Sequence, residues 1–92
     1  MNVEIVWSPL ARARLREIWA YVAMDKPDAA AMLTTRITAL VESLRIHPYL
    51  GHVGTEPGTR ELVVSGTPYS IFYRVRKQRV DIVTIWHGAR KR

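Results

Sequence analysis

Two stretches of helical periodicity, each opened by a proline, lie between segments that alternate with the period of a strand, and few folds accept that succession in a short chain. Residues 2–7 alternate, with Val3, Ile5 and Trp7 on one side and Asn2, Glu4 and Val6 on the other, so a first strand is expected there. Ser8 then supplies an N-cap hydroxyl, and Pro9 is the residue best tolerated at the first helical position. From Ala11 onward Leu15, Ile18, Trp19 and Val22 recur at spacings of three and four, while Arg12, Arg14, Arg16 and Glu17 take the other faces. That spacing predicts an amphipathic helix of about four turns. Pro27 breaks it, because the residue before a proline is pushed out of helical geometry, and opens a second helix. Ala29, Leu33, Ile37, Leu40, Val41 and Leu44 form the second apolar stripe, which must end before Pro48. The pair reads as an αα-hairpin.

Residues 48–59 hold three glycines and two prolines, too many for a regular element, and are expected to form an irregular connection of the kind that often carries function. Three strand segments follow, at 60–65, 68–76 and 80–87, the last two separated by the polar turn Lys77, Gln78 and Arg79. Links this short predict a meander. In the middle strand Tyr69, Ile71, Tyr73 and Val75 oppose Ser70, Phe72, Arg74 and Arg76; in the last, Val80, Ile82, Thr84 and Trp86 oppose Asp81, Val83, Ile85 and His87. The expected fold class is α+β in the order β-α-α-β-β-β, a helical hairpin packed on one face of a small antiparallel sheet. The other face is left for a partner or substrate. Trp19, Tyr21, Tyr69 and Tyr73 each fall in an apolar series and are assigned to the core, whereas Trp86 is left unassigned by the pattern. Tyr49, in the loop, is the aromatic expected to be exposed and to contact a partner or a base.

A chain of 92 residues has apolar surface for one core, so one domain over residues 1–92 is expected. The absence of cysteine excludes a disulfide scaffold, a thiolate zinc site and a cysteine nucleophile. His47 and His52 lack ligand spacing, and neither a metal nor another cofactor is expected. The chain starts without a basic and apolar leader, and no apolar run approaches the roughly 20 residues that span a bilayer, so a cytoplasmic location without membrane contact is the expectation. Lysine and arginine number 14 against 8 acidic residues, a balance of +6 carried mostly by arginine. Guanidinium forks bind phosphates and carboxylates through paired hydrogen bonds, which suits a nucleic acid or an acidic protein equally well.

Ser8-Pro9-Leu10-Ala11 leading into Leu15-Arg16-Glu17-Ile18-Trp19-Ala20-Tyr21, then Pro27-Asp28-Ala29-Ala30, resembles the start of the RelE/ParE toxin superfamily of type II toxin-antitoxin systems. The later stretches Leu44-Arg45-Ile46-His47-Pro48-Tyr49-Leu50-Gly51, Gly58-Thr59-Arg60-Glu61-Leu62, Pro68-Tyr69-Ser70-Ile71-Phe72-Tyr73-Arg74-Val75 and Val83-Thr84-Ile85-Trp86-His87-Gly88-Ala89-Arg90 continue it, so the resemblance covers nearly the whole chain. It implies a compact toxin that inhibits growth and is held inactive by a cognate antitoxin, an acidic, partly disordered, DNA-binding protein. The two would form a hetero-oligomer that regulates its own operon. RelE-type members cut messenger RNA on the ribosome; ParE-type members, associated with plasmid stabilization, poison DNA gyrase.

Cleavage of RNA by a 2′-hydroxyl needs a base, an acid and cations for the charge on phosphorus. The resemblance puts Arg60 where RelE-like proteins bind phosphate and His87 where some carry a catalytic histidine, with Arg74 and Arg90 as further charge; Glu56 is the carboxylate available as base. His87 has a structural alternative, a strand-end histidine bonded to the backbone. RNA-cleaving relatives add lysines between Gly51 and Gly58 or a tyrosine near the C-terminus, and this chain has neither. The incomplete set, with Ile18-Trp19-Ala20-Tyr21, favours the ParE branch, although the tail lacks that branch's methionine-containing ending. The target-binding candidates are then Tyr49, Arg60, Arg74, Arg76 and Arg90, and Arg90, Lys91 and Arg92 are candidate anchors for the antitoxin. Arg12, Arg14, Arg16 and Arg36 are read as hydrated helix surface.

Overall fold

The structure, a computed structural model, describes residues 2–88. The candidates Arg90, Lys91 and Arg92 lie outside the described residues. The elements are β1 Glu4–Trp7, α1 Pro9–Ala23, α2 Pro27–Ser43, β2 His52–Val53, β3 Thr59–Val63, β4 Tyr69–Val75 and β5 Arg79–His87. Both helices start at their prolines. Ser8 Oγ accepts from Ala11 N at 2.9 Å, the bond expected of an N-cap. Lys26 gives α2 no side-chain cap; Asp28, in the first turn, faces the positive end of the helix dipole instead.

The strands form one sheet in the order β1-β5-β4-β3-β2. It is mixed and not purely antiparallel, because β1 runs parallel to β5 from Glu4↔Arg79 to Trp7↔Ile82. Parallel neighbours need a long crossover, and here the whole hairpin and meander intervene between the two strands. The connection at 48–59 is also less irregular than its glycines suggest, since β2 pairs with β3 through His52↔Glu61 and Val53↔Arg60.

The alternation expected for the last strand holds only halfway. Phe72 pairs with Thr84 but Tyr73 with Ile82, so Val83 is an extra residue, a β-bulge. The bulge flips every later side chain: Ile85 turns into the core and Trp86 joins Thr84 and Phe72 on the opposite face. Ser8 holds this irregularity in place, with Oγ donating to Val83 O at 2.7 Å and its backbone N donating to Ile82 O at 3.0 Å. One hydroxyl thus caps α1 and satisfies the displaced carbonyl. Ser8→Ala is expected to cost about 1–3 kcal/mol, a lost cap plus an unpaired carbonyl. Thermal unfolding followed by circular dichroism should show a midpoint lower by roughly 5–15 °C, with Ser8→Thr close to the parent.

The core lies between the hairpin and one sheet face. Ala11 and Ile18 of α1 and Ile37, Val41 and Leu44 beside or within α2 meet Ile71, Tyr73, Val80, Ile82 and Ile85. Tyr69 and Tyr73 are buried as expected, but Trp19 and Tyr21 are not, at 49% and 65% exposed. With about 100° per residue, Ala11, Leu15, Ile18 and Val22 cluster on one line of α1, and Trp19 and Tyr21 fall roughly 70° and 90° to either side of it. The covered stripe is too narrow to reach them. Neither helix among the described residues is long and apolar enough to cross a membrane.

Candidate functional site

Cross-strand partners share a sheet face, so the register decides which candidate residues can act together. Thr59↔Arg74, Glu61↔Phe72 and Arg74↔Asp81 lie on the face away from the helices, whereas Arg60↔Tyr73 lies on the core face. The expectation grouped Arg60 with Arg74 and Arg76; the structure separates it from them.

Arg60 emerges at the β3 side of the core face, beneath the turn that follows α2. Its Nη1 donates to Gly51 O at 2.6 Å, and its guanidinium carbon stands 4.9 Å from the centre of the Tyr49 ring, within cation–π range. Tyr49 is 65% exposed, as expected of it. Val53, Gly58, Thr59 and Val75 complete a shallow pocket around the pair. The Gly51 peptide is held at its other end too, its N–H donating to Tyr73 Oη at 2.8 Å in a buried bond. Gly51 has no room for a side chain, since a Cβ there would stand 2.7 Å from Glu61 O and 2.9 Å from Tyr73 Oη.

On the other face Arg74 Nη1 donates to Pro57 O at 3.1 Å and so ties down the turn that contains Glu56. Glu56 is exposed, and its carbonyl oxygen accepts from Thr59 N at 3.1 Å and Thr59 Oγ1 at 2.6 Å. Arg76 and Arg79 share one carboxylate, with Arg76 Nε 3.1 Å from Asp81 Oδ2 and Arg79 Nε 2.8 Å from Asp81 Oδ1. His52 Nε2 stands 3.8 Å from Glu61 Oε1 across β2 and β3.

His87 is far from all of these. It pairs with Tyr69, and the two rings meet edge to face at 5.0 Å and 88°. It lines a cavity of about 200 Å³ with Arg14, Glu17, Ile18, Ile85 and Trp86, beside the stretch of β5 that lies beyond the end of β1. Along β4, Tyr69 is four residues from the partner of Arg60 and five from Arg74. At about 3.3 Å per residue that separates His87 from Arg60 by about 13 Å and from Arg74 by about 16 Å along the sheet. The histidine and the two arginines proposed to share one phosphate are not brought together.

The buried hydroxyl of Tyr73 titrates above the usual phenolic range, because burial disfavours the phenolate more strongly than the Gly51 N–H and the nearby Arg60 charge favour it. The unfolded chain therefore loses this proton first. Stability from the neutral hydroxyl is complete below about pH 10 and is lost as pH rises through the higher folded value. Denaturant unfolding from pH 9 upward should show stability falling with pH, and the slope should be shallower in Tyr73→Phe.

A two-helix hairpin over a mixed five-stranded sheet is a fold found among solved toxin-antitoxin structures. The chain is similar to a chain of the chromosomal ParDE system from P. aeruginosa, with a TM-score of 0.84 at 24% identity over 94% of this chain and 96% of that one. Its likeness to a chain of the RelBE2 complex from Mycobacterium tuberculosis has a TM-score of 0.65 at 20% identity, covering 95% of this chain and 99% of that one. In sequence it is 43% identical over 84 residues to Y4kP of Sinorhizobium fredii, a protein named as a toxin, covering 91% of this chain and 86% of that one. It is also 38% identical over 87 residues to toxin RelE2 of Caulobacter vibrioides, covering 95% of this chain and 97% of the relative. The model of the ParE toxin of the type II toxin-antitoxin system parDE matches residues 5–92, and the chain belongs to that family.

Proposed function

We infer that this type II toxin arrests growth by engaging DNA gyrase as a protein target, with Tyr49 and Arg60 at the centre of the contact, and that it does no acid-base chemistry of its own. The separation of His87 from Arg60 and Arg74 carries this reading, because a phosphate needs its base, acid and cations within a few ångströms of one another. What the Tyr49 region offers instead is an aromatic ring backed by a fixed guanidinium, the side-chain types that dominate protein hot spots. The ParE family match and the likeness to the ParDE chain support the same branch. Arg74 and Arg76 would add charge at the margin. A cognate acidic antitoxin would neutralise the toxin in a hetero-oligomer, with Arg90, Lys91 and Arg92 as anchors for its carboxylates.

A second reading, a ribosome-dependent, metal-independent messenger RNA endonuclease using His87, Arg60 and Arg74, is favoured by the 38% identity to toxin RelE2. Purified toxin added to gyrase and relaxed plasmid decides between them. Loss of supercoiling with accumulation of cleaved DNA, relieved by the antitoxin, is the expected result. Unaffected gyrase together with new codon-phased ends on messages after induction would establish the alternative.

A further inference from the structure

We propose that the hydroxyl of Tyr73, a residue sealed in the core, is the positioning group of the Tyr49–Arg60 contact element; this rests on the reading that those two side chains meet the target. The ring alone would satisfy the packing. Tyr73 is 0% exposed among Ile37, Val41, Leu44, Ile71 and Ile82, and a hydroxyl buried among such neighbours is costly unless it is hydrogen-bonded. Its bond leads outward, to Gly51 N at 2.8 Å.

Three contacts then run in series. Gly51 passes between the β3 backbone at Glu61 and the Tyr73 oxygen with no space for a Cβ, so its backbone is closely packed there. Its carbonyl oxygen takes Arg60 Nη1 at 2.6 Å and fixes the guanidinium. That guanidinium lies over the ring of Tyr49, two residues upstream of Gly51. An exposed loop aromatic ordinarily loses rotamer freedom when a partner arrives, which weakens binding; one already held against a fixed cation loses less. Tyr73 therefore acts on the target through Gly51, Arg60 and Tyr49 without touching it.

The test compares full-length wild type, Tyr73→Phe, Tyr49→Ala and the double variant. In the isotope-labelled isolated toxin, Tyr73→Phe should keep the fold while the Arg60 Nε–Hε resonance moves and exchanges faster with water. In cells, the induction level needed for growth arrest should rise by about tenfold for Tyr73→Phe, and Tyr73→Phe should add nothing in the Tyr49→Ala background. A merely structural role predicts the same extra loss with or without Tyr49. An unmoved Arg60 resonance, equal losses in both backgrounds, or wild-type arrest by Tyr49→Ala would each overturn the proposal. Should Tyr73→Phe not fold, hydrogen exchange of the Gly51 amide in the wild type decides: protection supports the clamp, and exchange at the free-peptide rate overturns it. The resonance and hydrogen-exchange readouts involve no target and growth arrest does not specify which one is hit, so a negative supercoiling assay removes gyrase while the comparison among variants still stands.

Discussion

Gly51→Ala is expected to unfold much of the toxin at growth temperature. The new methyl carbon would meet backbone, Glu61 O at 2.7 Å and Glu61 C at 2.9 Å, so no flexible side chain can swing away to make room. Overpacking of this kind costs about 1–3 kcal/mol. Moving the turn to relieve it breaks the bonds to Tyr73 Oη and from Arg60 Nη1, adding about 1–3 kcal/mol for polar groups left unpaired. The sum, roughly 2–6 kcal/mol, is a large share of the roughly 5–15 kcal/mol that holds a domain together. Gly66 provides the contrast. It has a positive φ of 78° but nothing within 4 Å of where a Cβ would stand, so Gly66→Ala carries only backbone strain, about 1–2 kcal/mol. Chemical unfolding of the two variants should rank Gly51→Ala well below Gly66→Ala, and the reverse order would contradict the packing described for the turn.

Arg60→Ala is expected to be the most damaging single change to activity that leaves the fold standing. It removes the cation beneath Tyr49 and the donor to Gly51 O together, so the aromatic ring loses its support as well as its charge. A hot-spot arginine costs about 2 kcal/mol or more when truncated, which is a loss of roughly 30-fold or greater in apparent affinity for the target. Arg60→Lys should recover little, because an ammonium lacks the planar fork that stacks on a ring and hydrogen-bonds at its edge. Gyrase inhibition titrated with each purified variant checks this, with thermal unfolding run alongside to confirm that the variants are folded. Arg76→Ala makes the comparison, since its guanidinium already shares Asp81 with Arg79 and it should cost little.

The helices and the order of elements were legible in the sequence because local chemistry sets them. Ser8 and Pro9, and Pro27 after its own break, act within a few residues of the positions they determine. Long-range pairing was harder to read. Nothing in residues 4–7 announces a parallel partner at 79–82, and no glycine or proline marks the bulge at Val83, whose carbonyl is satisfied by a serine 75 positions earlier. For that reason strict alternation puts Ile85 on the wrong face and leaves Trp86 unassigned. Trp19 and Tyr21 sit at helical spacing from core residues, yet spacing does not report how wide a stripe the sheet covers.

The site was legible in part. The loop around Tyr49 marks it as exposed and the family resemblance marks Arg60 as a candidate, but nothing in the sequence signals that the two stack. The pattern marks Tyr73 as a core ring, but its hydroxyl, acting on a glycine 22 residues away, carries no local signal. A tyrosine rather than a phenylalanine at the centre of a core face is the available hint, since Phe would pack there without a polar atom to satisfy. The separation of His87 from Arg60 follows from register alone, and register depends on strand pairing that no local signal in the sequence sets.

Growth arrest after induction, compared between His87→Ala and Tyr49→Ala in otherwise identical cells lacking the antitoxin, bears most directly on how this toxin works. The geometry predicts that, at the induction level that just arrests the wild type, His87→Ala stops growth as well, while cells making Tyr49→Ala continue to divide. Dividing cells with His87→Ala and arrested cells with Tyr49→Ala would mean that the chemistry lies at the far end of β5 and that the account given for Tyr49 and Arg60 is wrong.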